Sequence, residues 1–375
     1  MKGLVIWAQS NCRSTMALYR ELIRELNVPA IVTLWYYHTY EGEVDNREAV
    51  GFRGDEFADV PTINVGENLA KGMEVLDAHP GWHHIFTNYQ QSKVYRELIG
   101  VAKCRGEKVA VFSESPNPGI GLRSWVKRFY LRFCLSRKLQ ETCANAEFFV
   151  NYSGDDSTWL ERIGWKKSKI IPFGYYSPPI EQSKSVERTN HNDEFIILAT
   201  GVLTRYRGAD ILLSALKILK KRGVRYRAVI TQKGELYDEL KKSIAQYDLP
   251  VTMPGFVQLG DLIRLYETCN VYVGAGRREP WGMRLNDALL CGAPLVVSTG
   301  MGGVKLVRDH GCGLEFCAGD ALDLANKLQC LIQDRRLYES LARKAKAASL
   351  QCTPEVKARE LVALVNAKSP GWWED

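Results

Sequence analysis

The sequence predicts an α/β fold in two domains, each built on a doubly wound parallel sheet. Short apolar runs alternate with amphipathic helical patterns, which is typical of a parallel sheet covered by helices on both faces. The chain has 375 residues, whereas a single hydrophobic core stops growing at about 250 to 300 residues. A Pro-rich, polar and charged stretch near the middle has the composition of a linker between two domains.

The first half of the chain alternates strands and helices. Strands are predicted at residues 4–8, 30–37, 84–87, 109–113 and 148–150, with helices at 15–26 and 91–105. Crossover connections place the loops that follow such strands at one edge of the sheet, where open α/β sheets bind ligands. Polar side chains follow two of these strands, namely Asn11, Arg13 and Ser14 after the first and Glu114 after the fourth.

The second half opens with an apolar strand at residues 195–200, a loop that contains Arg205 and Arg207, and an amphipathic helix. Further along, residues 271–298 read as strand, Gly-rich charged loop, helix from about Met283, and strand. Two acids lie in this βαβ unit, Glu279 in the loop and Asp287 near the start of the helix. An acid in a first helical turn often only complements the helix dipole, which is the alternative for Asp287.

The run EPWGMRLNDALLCGAPLVVS, residues 279–298, resembles the nucleotide-sugar signature of the family-4 retaining glycosyltransferases, which have the two-domain GT-B fold. Members usually carry Glu, seven residues, and a second Glu. Glu279 matches the first acid and Gly282 the glycine three residues on. Asp287 stands where the second Glu is expected, so the charge is kept on a side chain one methylene shorter.

Residues 201–208, GVLTRYRG, resemble the family's G-R-L-x-x-x-K-G loop, whose Arg and Lys neutralise the donor diphosphate. Val202 occupies the place of the Arg, and Arg207 replaces the Lys. We expect Arg205 in the same loop to supply the missing charge, because a guanidinium suits phosphate. Two arginines in a surface turn are the alternative.

Two glycines, Gly302 and Gly303, precede a short helical turn, and we expect their N–H groups to face an anion. The family usually has an acid three residues later, where this chain has Leu306.

The resemblance implies a GT-B fold, two Rossmann-like domains facing a cleft. We expect an acceptor-binding domain at residues 1–178, a linker at 179–193, a nucleotide-sugar domain at 194–350, and a last helix within 351–375 that crosses back to the first domain. Glu279 is expected to hold the donor sugar and Asp287 the ribose hydroxyls. Glu279 and Glu114 are the catalytic candidates, although Glu114 is equally well explained as part of a turn.

The implied reaction moves a glycosyl group from a nucleoside diphosphate sugar, a UDP- or GDP-sugar, to an acceptor hydroxyl with retention. No metal and no cofactor are expected, since protein cations neutralise the leaving group. The donor-binding candidates are Gly201, Arg205, Arg207, Gly282, Met283, Asp287, Gly302 and Gly303, and the acceptor-binding candidates are Asn11, Arg13, Ser14 and Glu114. The acceptor is expected to be a saccharide or a lipid-linked saccharide of surface glycan synthesis.

Composition and charge limit the partners. No apolar run reaches the roughly 18 to 20 residues that span a bilayer, and the net charge of +7 admits acidic partners. Residues 122–143 combine aromatic and basic residues at helical spacing, which fits either a helix packed on a sheet or one docked on an anionic membrane surface. We expect a cytoplasmic protein, peripheral on the inner membrane face in the second case, and no nucleic-acid partner.

Two other function classes stay open. A nucleotide-sugar-binding protein without transfer activity is compatible with the departures at Val202, Asp287 and Leu306. Another doubly wound sugar-nucleotide enzyme is the second, but an epimerase needs a G-x-G-x-x-G fingerprint, which the sequence lacks, and a phosphorylase needs pyridoxal phosphate.

Overall fold

The structure is a computed structural model and describes residues 1–10, 12–36, 56–87, 89–90, 92–116, 126, 129, 136–179 and 194–374. The chain divides into two compact units. Unit 1 consists of Met1–Pro178 with Pro354–Asp375, and unit 2 consists of Pro179–Thr353. Each unit contains one sheet, and all pairs of the described strands are parallel. The predicted fold class, α/β with two Rossmann-like domains, is confirmed.

The sheet of unit 1 has the strand order β3-β2-β1-β4-β5-β6-β7. Its strands are β1 (Leu4–Ser10), β2 (Ala30–Tyr36), β3 (Thr62–Asn64), β4 (His83–Thr87), β5 (Val109–Ser113), β6 (Phe149–Asn151) and β7 (Ile170–Pro172). The helices described before the linker are α1 (Arg13–Leu26), α2 (Leu69–Ala78), α3 (Lys93–Cys104), α4 (Ser136–Asn145) and α5 (Thr158–Arg162), and Lys167–Lys169 form a 3₁₀ turn.

Aromatic packing and one buried hydrogen bond fix the centre of this sheet. Trp7 of β1 stacks on Phe86 of β4, with ring centroids 5.2 Å apart and planes 2° from parallel. The hydroxyl of Tyr95, on α3, donates to the carbonyl oxygen of Ala8 at 2.7 Å. Both tyrosine and tryptophan are fully buried, so α3 is held against the two strands at which the strand order reverses.

The sheet of unit 2 has the order β10-β9-β8-β11-β12-β13. Its strands are β8 (Ile196–Ala199), β9 (Arg227–Thr231), β10 (Val251–Gly255), β11 (Val271–Gly274), β12 (Leu295–Ser298) and β13 (Gly313–Phe316). Its helices are α6 (Ala209–Lys221), α7 (Tyr237–Gln246), α8 (Leu259–Thr268), α9 (Met283–Leu290), α10 (Val304–His310), α11 (Ala321–Gln333) and α12 (Arg335–Gln351).

The strand order of unit 2 reverses between β8 and β11, which are hydrogen-bonded neighbours. The amphipathic helix α6 buries its apolar face, including Ile211, Leu212 and Leu216, in the core beside these strands. At such a reversal, the two following loops diverge to opposite faces and leave room for a ligand at the carboxyl ends of the strands.

The last helix, α13 (Pro354–Lys368), belongs to unit 1 and packs against α1 and β7. The residues after it are docked by their tryptophans. The ring of Trp372 lies 5.1 Å from that of His83 and 4.9 Å from that of Phe148, and the Nζ of Lys108 donates to the carbonyl oxygen of Gly371. The C-terminal segment is therefore part of the core of unit 1.

Candidate active site

A pocket opens in unit 2 where β8 and β11 end. It contains about 540 Å³ of space, part of it open to solvent. The loop of residues 200–208 follows β8, and the loop of residues 275–282 follows β11 and leads into α9. Residues from both loops line the pocket, together with Arg284 and Leu285 of α9 and Met301. The pocket thus lies at the strand-order reversal, the usual place for a ligand in this class of sheet.

Arg277 ties the two loops together. Its backbone N–H donates to the carbonyl oxygen of Tyr206 at 3.0 Å, and its guanidinium forms two 2.7 Å hydrogen bonds with the carboxylate of Asp210 in the first turn of α6. Burial favours the neutral form of Asp210, but the paired Arg277 outweighs it and lowers the pKa of this carboxyl. Two charge-assisted bonds therefore fix the spacing of the loops.

Two glycines permit the close approach of these loops. Gly208 has φ of +74°, a conformation that favours glycine, and a Cβ there would overlap the carbonyl oxygen of Ala275. Gly201, with φ of +116°, lies under Arg207, whose Nη1 atom would be 3.0 Å from a Cβ at that position. Both glycines therefore leave space that the pocket uses.

Arg207 and Glu279 face each other in the pocket. An Nη2–Oε1 distance of 3.8 Å separates them, and their side chains are 41% and 17% exposed. Burial raises the pKa of Glu279, and the nearby guanidinium groups of Arg207 and Arg284 offset only part of this effect. The two loops thus hold one cation and one carboxylate at ligand-accessible positions.

The Arg284 side chain also lines the pocket, and the sequence did not single it out. Its Nη1 nitrogen is buried and, among the residues that the structure describes, has no hydrogen-bond partner. Burial lowers the pKa of this guanidinium, but Tyr266 and Asp287 beside it have the larger combined effect and raise it. The one feature of the sequence that indicates Arg284 is its charge in the first turn of a helix whose other side chains are mostly apolar.

A threonine at the end of β8 joins two buried phenols behind the pocket. The Oγ1 of Thr200 lies 3.0 Å from the hydroxyl of Tyr266 and 3.1 Å from that of Tyr272. Burial raises the pKa of Tyr272 to about 12, so the phenol is neutral at physiological pH. These groups form a polar wall around Arg284.

Part of the chain is similar to a known family of enzymes. Residues 181–348 match the family model described as glycosyl transferases group 1. These residues are therefore similar to the group 1 glycosyltransferases. The resemblance to a GT-B glycosyltransferase family, predicted from the signature at residues 279–298, is thereby confirmed.

Individual relatives of the group 1 glycosyltransferase segment carry varied names. Mannosylfructose-phosphate synthase of Agrobacterium fabrum is 29% identical over 230 residues, which cover 56% of this chain and 50% of that protein. The capsular polysaccharide biosynthesis glycosyltransferase CapM of Staphylococcus aureus is 25% identical over 236 residues, 59% of this chain and 61% of that protein. The matches therefore span half to three fifths of these relatives.

Solved structures resemble the whole chain. Anabaena Alr3699/HepE, determined in complex with UDP, superposes with a TM-score of 0.69 at 16% identity and covers 98% of this chain and 100% of its own. The lipopolysaccharide outer core galactosyltransferase WaaB, in its apo form, gives a TM-score of 0.67 at 11% identity and covers the same shares. At such identities the likeness shows the fold, which is GT-B, as predicted.

The pocket of the group 1 glycosyltransferase segment brings together four of the predicted donor-site residues, Gly201, Arg207, Glu279 and Gly282. Val202, which replaces an expected arginine, also lines it. Arg205 does not. Its side chain is 61% exposed and lies 3.5 Å from Glu239 and 3.7 Å from Asp210. The expected second cation on this loop thus has acidic partners outside the pocket.

The Gly302 and Gly303 N–H groups, expected to face an anion, are used inside the protein. Gly302 donates to the carbonyl oxygen of Glu279 at 3.0 Å, and Gly303 donates to that of Trp281 at 2.9 Å. The structure corrects the expected role of this pair, because it braces the loop that carries Glu279. Leu306, at the position of the family's acid, is buried in the apolar core.

Asp287 and Met283 both lie on α9 and outside the lining of the pocket. The Asp287 side chain is only 2% exposed and close enough to Arg284 to raise the pKa of that guanidinium. Met283 is half-buried at the first position of the helix. Arg284, and not Asp287, is therefore the polar side chain of α9 that lines the pocket.

The described acceptor-binding candidates of unit 1, Arg13, Ser14 and Glu114, lie near the carboxyl ends of β1 and β5. Arg13 is bound by Glu56, whose two oxygens each lie 3.0 Å from its Nε atom, and Ser14 is buried. Glu114 is exposed, while Asn11 lies outside the described residues.

Two tyrosines, half-buried Tyr175 and buried Tyr152, lie near Glu114, and the sequence does not indicate them. Burial, followed by the charge of Glu114, raises the pKa of Tyr175. The Tyr175 ring lies 4.7 Å from that of Tyr152. Glu114 is thus an exposed carboxylate near two aromatic rings.

The described residues contain neither a membrane-spanning helix nor a cluster of metal-ligating side chains. No helix among them is both long and apolar enough to cross a membrane. No three of their His, Cys, Asp or Glu side chains are grouped so that they could hold a metal ion.

Proposed function

We propose that this protein is a retaining, metal-independent glycosyltransferase that moves a glycosyl group from a nucleoside diphosphate sugar to an acceptor hydroxyl. The observation that carries the proposal is the pairing of Arg207 with Glu279 across a pocket at the ends of β8 and β11. The group 1 match of the same residues and the UDP bound by HepE support a nucleotide-sugar donor.

In the proposed reaction the bond between the anomeric carbon and the diphosphate oxygen breaks. The acceptor oxygen forms a new bond to the same carbon on the same face, and its proton passes to the departing diphosphate. Arg207 stabilises the negative charge that develops on the leaving group, while the Glu279 carboxylate lies where it can stabilise the positive charge that develops on the sugar. A site that places one cation and one anion in this way matches both developing charges.

We further propose that unit 1 binds a saccharide acceptor near Glu114. The exposed carboxylate and the aromatic rings beside it are groups that sugar-binding sites combine, since hydroxyls donate to carboxylates and sugar faces pack on aromatic rings. In this proposal Glu114 accepts a hydrogen bond from a hydroxyl of the acceptor. Names among the relatives, such as that of CapM, support a role in polysaccharide synthesis.

The decisive experiment measures turnover and binding separately. The purified protein is incubated with UDP-, GDP- and ADP-sugars, and release of the nucleoside diphosphate is followed with and without saccharide acceptors. Glu279→Gln should lower turnover about 100-fold, the usual effect of losing one group that stabilises transition-state charge, while nucleotide affinity changes little. Nucleotide-sugar binding without any turnover by the wild type would instead favour a binding protein.

We also propose that residues 122–143 contact the cytoplasmic face of the membrane, where a lipid-linked acceptor would lie. Most of this segment lies outside the described residues, but Val126 and Phe129 are helical, with 63% and 52% of their surfaces exposed. Vesicles with anionic lipid should sediment the protein at low salt and release it at high salt. Failure to sediment at low salt would remove this part of the proposal.

A further inference from the structure

The diphosphate site proposed above lacks one expected cation. Where the family loop carries an arginine, this chain has Val202, whose side chain cannot bind an anion. The neighbouring candidate, Arg205, points to Glu239 and Asp210 outside the pocket. Arg207 is thus the cation that the loop after β8 contributes to the lining.

A second guanidinium reaches the same pocket from the opposite loop. Arg284 lies in the first turn of α9, directly after the segment that carries Glu279, and it lines the pocket together with Val202 and Arg207. The two loops follow neighbouring parallel strands, so side chains from both can contact one ligand. The helix places its N-terminal end at this position, which also favours a negative charge.

The hydrogen bonding of Arg284 is incomplete among the described residues. Its Nη1 nitrogen is buried and has no acceptor, although buried polar atoms are nearly always paired. An unsatisfied donor on a charged group is costly, and an arginine fork pairs best with the oxygens of a carboxylate or a phosphate. A ligand oxygen would satisfy this nitrogen.

We propose that Arg284 is the second cation on the donor's diphosphate and compensates for Val202. This inference rests on the proposed function. A purely internal role is the competing explanation, since Arg284 is also close to the buried carboxylate of Asp287. If Arg284 binds the diphosphate, its loss should weaken binding of a nucleoside diphosphate but not of the nucleoside alone. If Arg284 has a purely internal role, its loss should affect both ligands alike.

The test titrates the full-length protein with UDP, GDP and ADP, and then with the nucleoside of whichever diphosphate binds. Arg284→Gln should weaken binding of the diphosphate about ten- to hundredfold, the effect of losing a charge-assisted contact, and leave binding of the nucleoside within about twofold. Arg207→Ala should behave alike, whereas Arg264→Gln, an exposed arginine on α8, should change neither affinity. Adding Val202→Arg to Arg284→Gln should restore at least part of the lost affinity.

Several outcomes would overturn the inference. Equal weakening of diphosphate and nucleoside would mean that Arg284 only holds Asp287 in place. If Arg205→Gln loses affinity for the diphosphate but not for the nucleoside, and Arg284→Gln does not, then Arg205 and not Arg284 is the second cation. If Arg284→Gln does not fold, Arg284→Met, which keeps an unbranched side chain without the charge, should lose diphosphate affinity selectively, and unchanged affinity refutes the inference. Failure of the wild type to bind any of the three diphosphates would instead remove the proposed function itself.

Discussion

Gly208 is the position where a single methyl group should separate the two loops of the pocket. Its φ of +74° and its contact with the carbonyl oxygen of Ala275 both require glycine. Gly223, at the other end of α6, has a similar φ of +70° but nothing within 4 Å of its added Cβ. The pair Gly208→Ala and Gly223→Ala therefore separates backbone strain from steric overlap within one unit.

Both substitutions place a side chain in the left-handed region, which costs roughly 1–2 kcal/mol. At Gly208 the new Cβ would also lie about 1 Å inside the 3.0 Å approach that real Cβ atoms keep, so the loops must move apart by a similar distance. Such overpacking adds about 1–3 kcal/mol. Because Arg207 is the adjacent residue, the same shift displaces its guanidinium from Glu279, and a misplacement of about 1 Å can cost 100-fold in function.

Urea unfolding and nucleoside diphosphate titration measure the two effects. Gly223→Ala should lower the unfolding midpoint slightly and leave affinity unchanged. Gly208→Ala should lower the midpoint further and weaken nucleotide binding at least tenfold. The reasoning is refuted if Gly208→Ala binds nucleotide like the wild type and is no less stable than Gly223→Ala.

Three further predictions concern charge and packing. Burial raises the pKa of Glu279 above its ordinary value of 4.5, and catalysis needs the ionised carboxylate. The rate should therefore fall on the acid side at a pH above 4.5, and a fall that occurs only below pH 4.5 contradicts this role. Asp210→Asn breaks the ion pair with the partly exposed Arg277 and should lower the free energy of unfolding by about 1–2 kcal/mol at pH 7. Since the pKa of Asp210 is lowered, this loss in urea midpoint should vanish as pH falls below 3.8, and a loss that persists in acid refutes the ion-pair origin. Trp372→Ala should cost about 3–5 kcal/mol in unit 1 without changing nucleotide affinity, whereas Leu350→Ala, at an exposed position, should cost little; equal melting of the two variants would show that the tail is not part of the core.

Much of the fold follows from local patterns. The buried strands β4 and β5 are short apolar runs bounded by polar segments, and the structure places them within a residue of their predicted limits. Helix α3 begins where Ser92 accepts a hydrogen bond from the N–H of Tyr95, a cap that a propensity pattern locates only approximately. The sequence does not predict strand β3, because its three exposed residues include a single apolar one, Ile63, and only pairing with β2 creates the strand.

The pairing of Arg207 with Glu279 follows from the same logic, since both lie in loops after strands and loops after parallel strands share an edge. The direction of Arg205 did not follow, because Glu239 comes from a helix more than 30 residues away and Asp210 from the next turn. Nor did Arg284, whose role depends on which side of a short helix faces the pocket. Long-range ion pairs and helix rotation are set by packing, which a local pattern does not contain.

Hydrogen exchange of the full-length protein, with and without saturating nucleoside diphosphate, tests most directly whether this pocket is the donor site. The account predicts that UDP, or whichever of GDP and ADP binds, slows exchange in residues 200–212 and 274–287, because a ligand that binds the folded state suppresses opening of the segments it contacts. Protection of other segments with these two unchanged would contradict it.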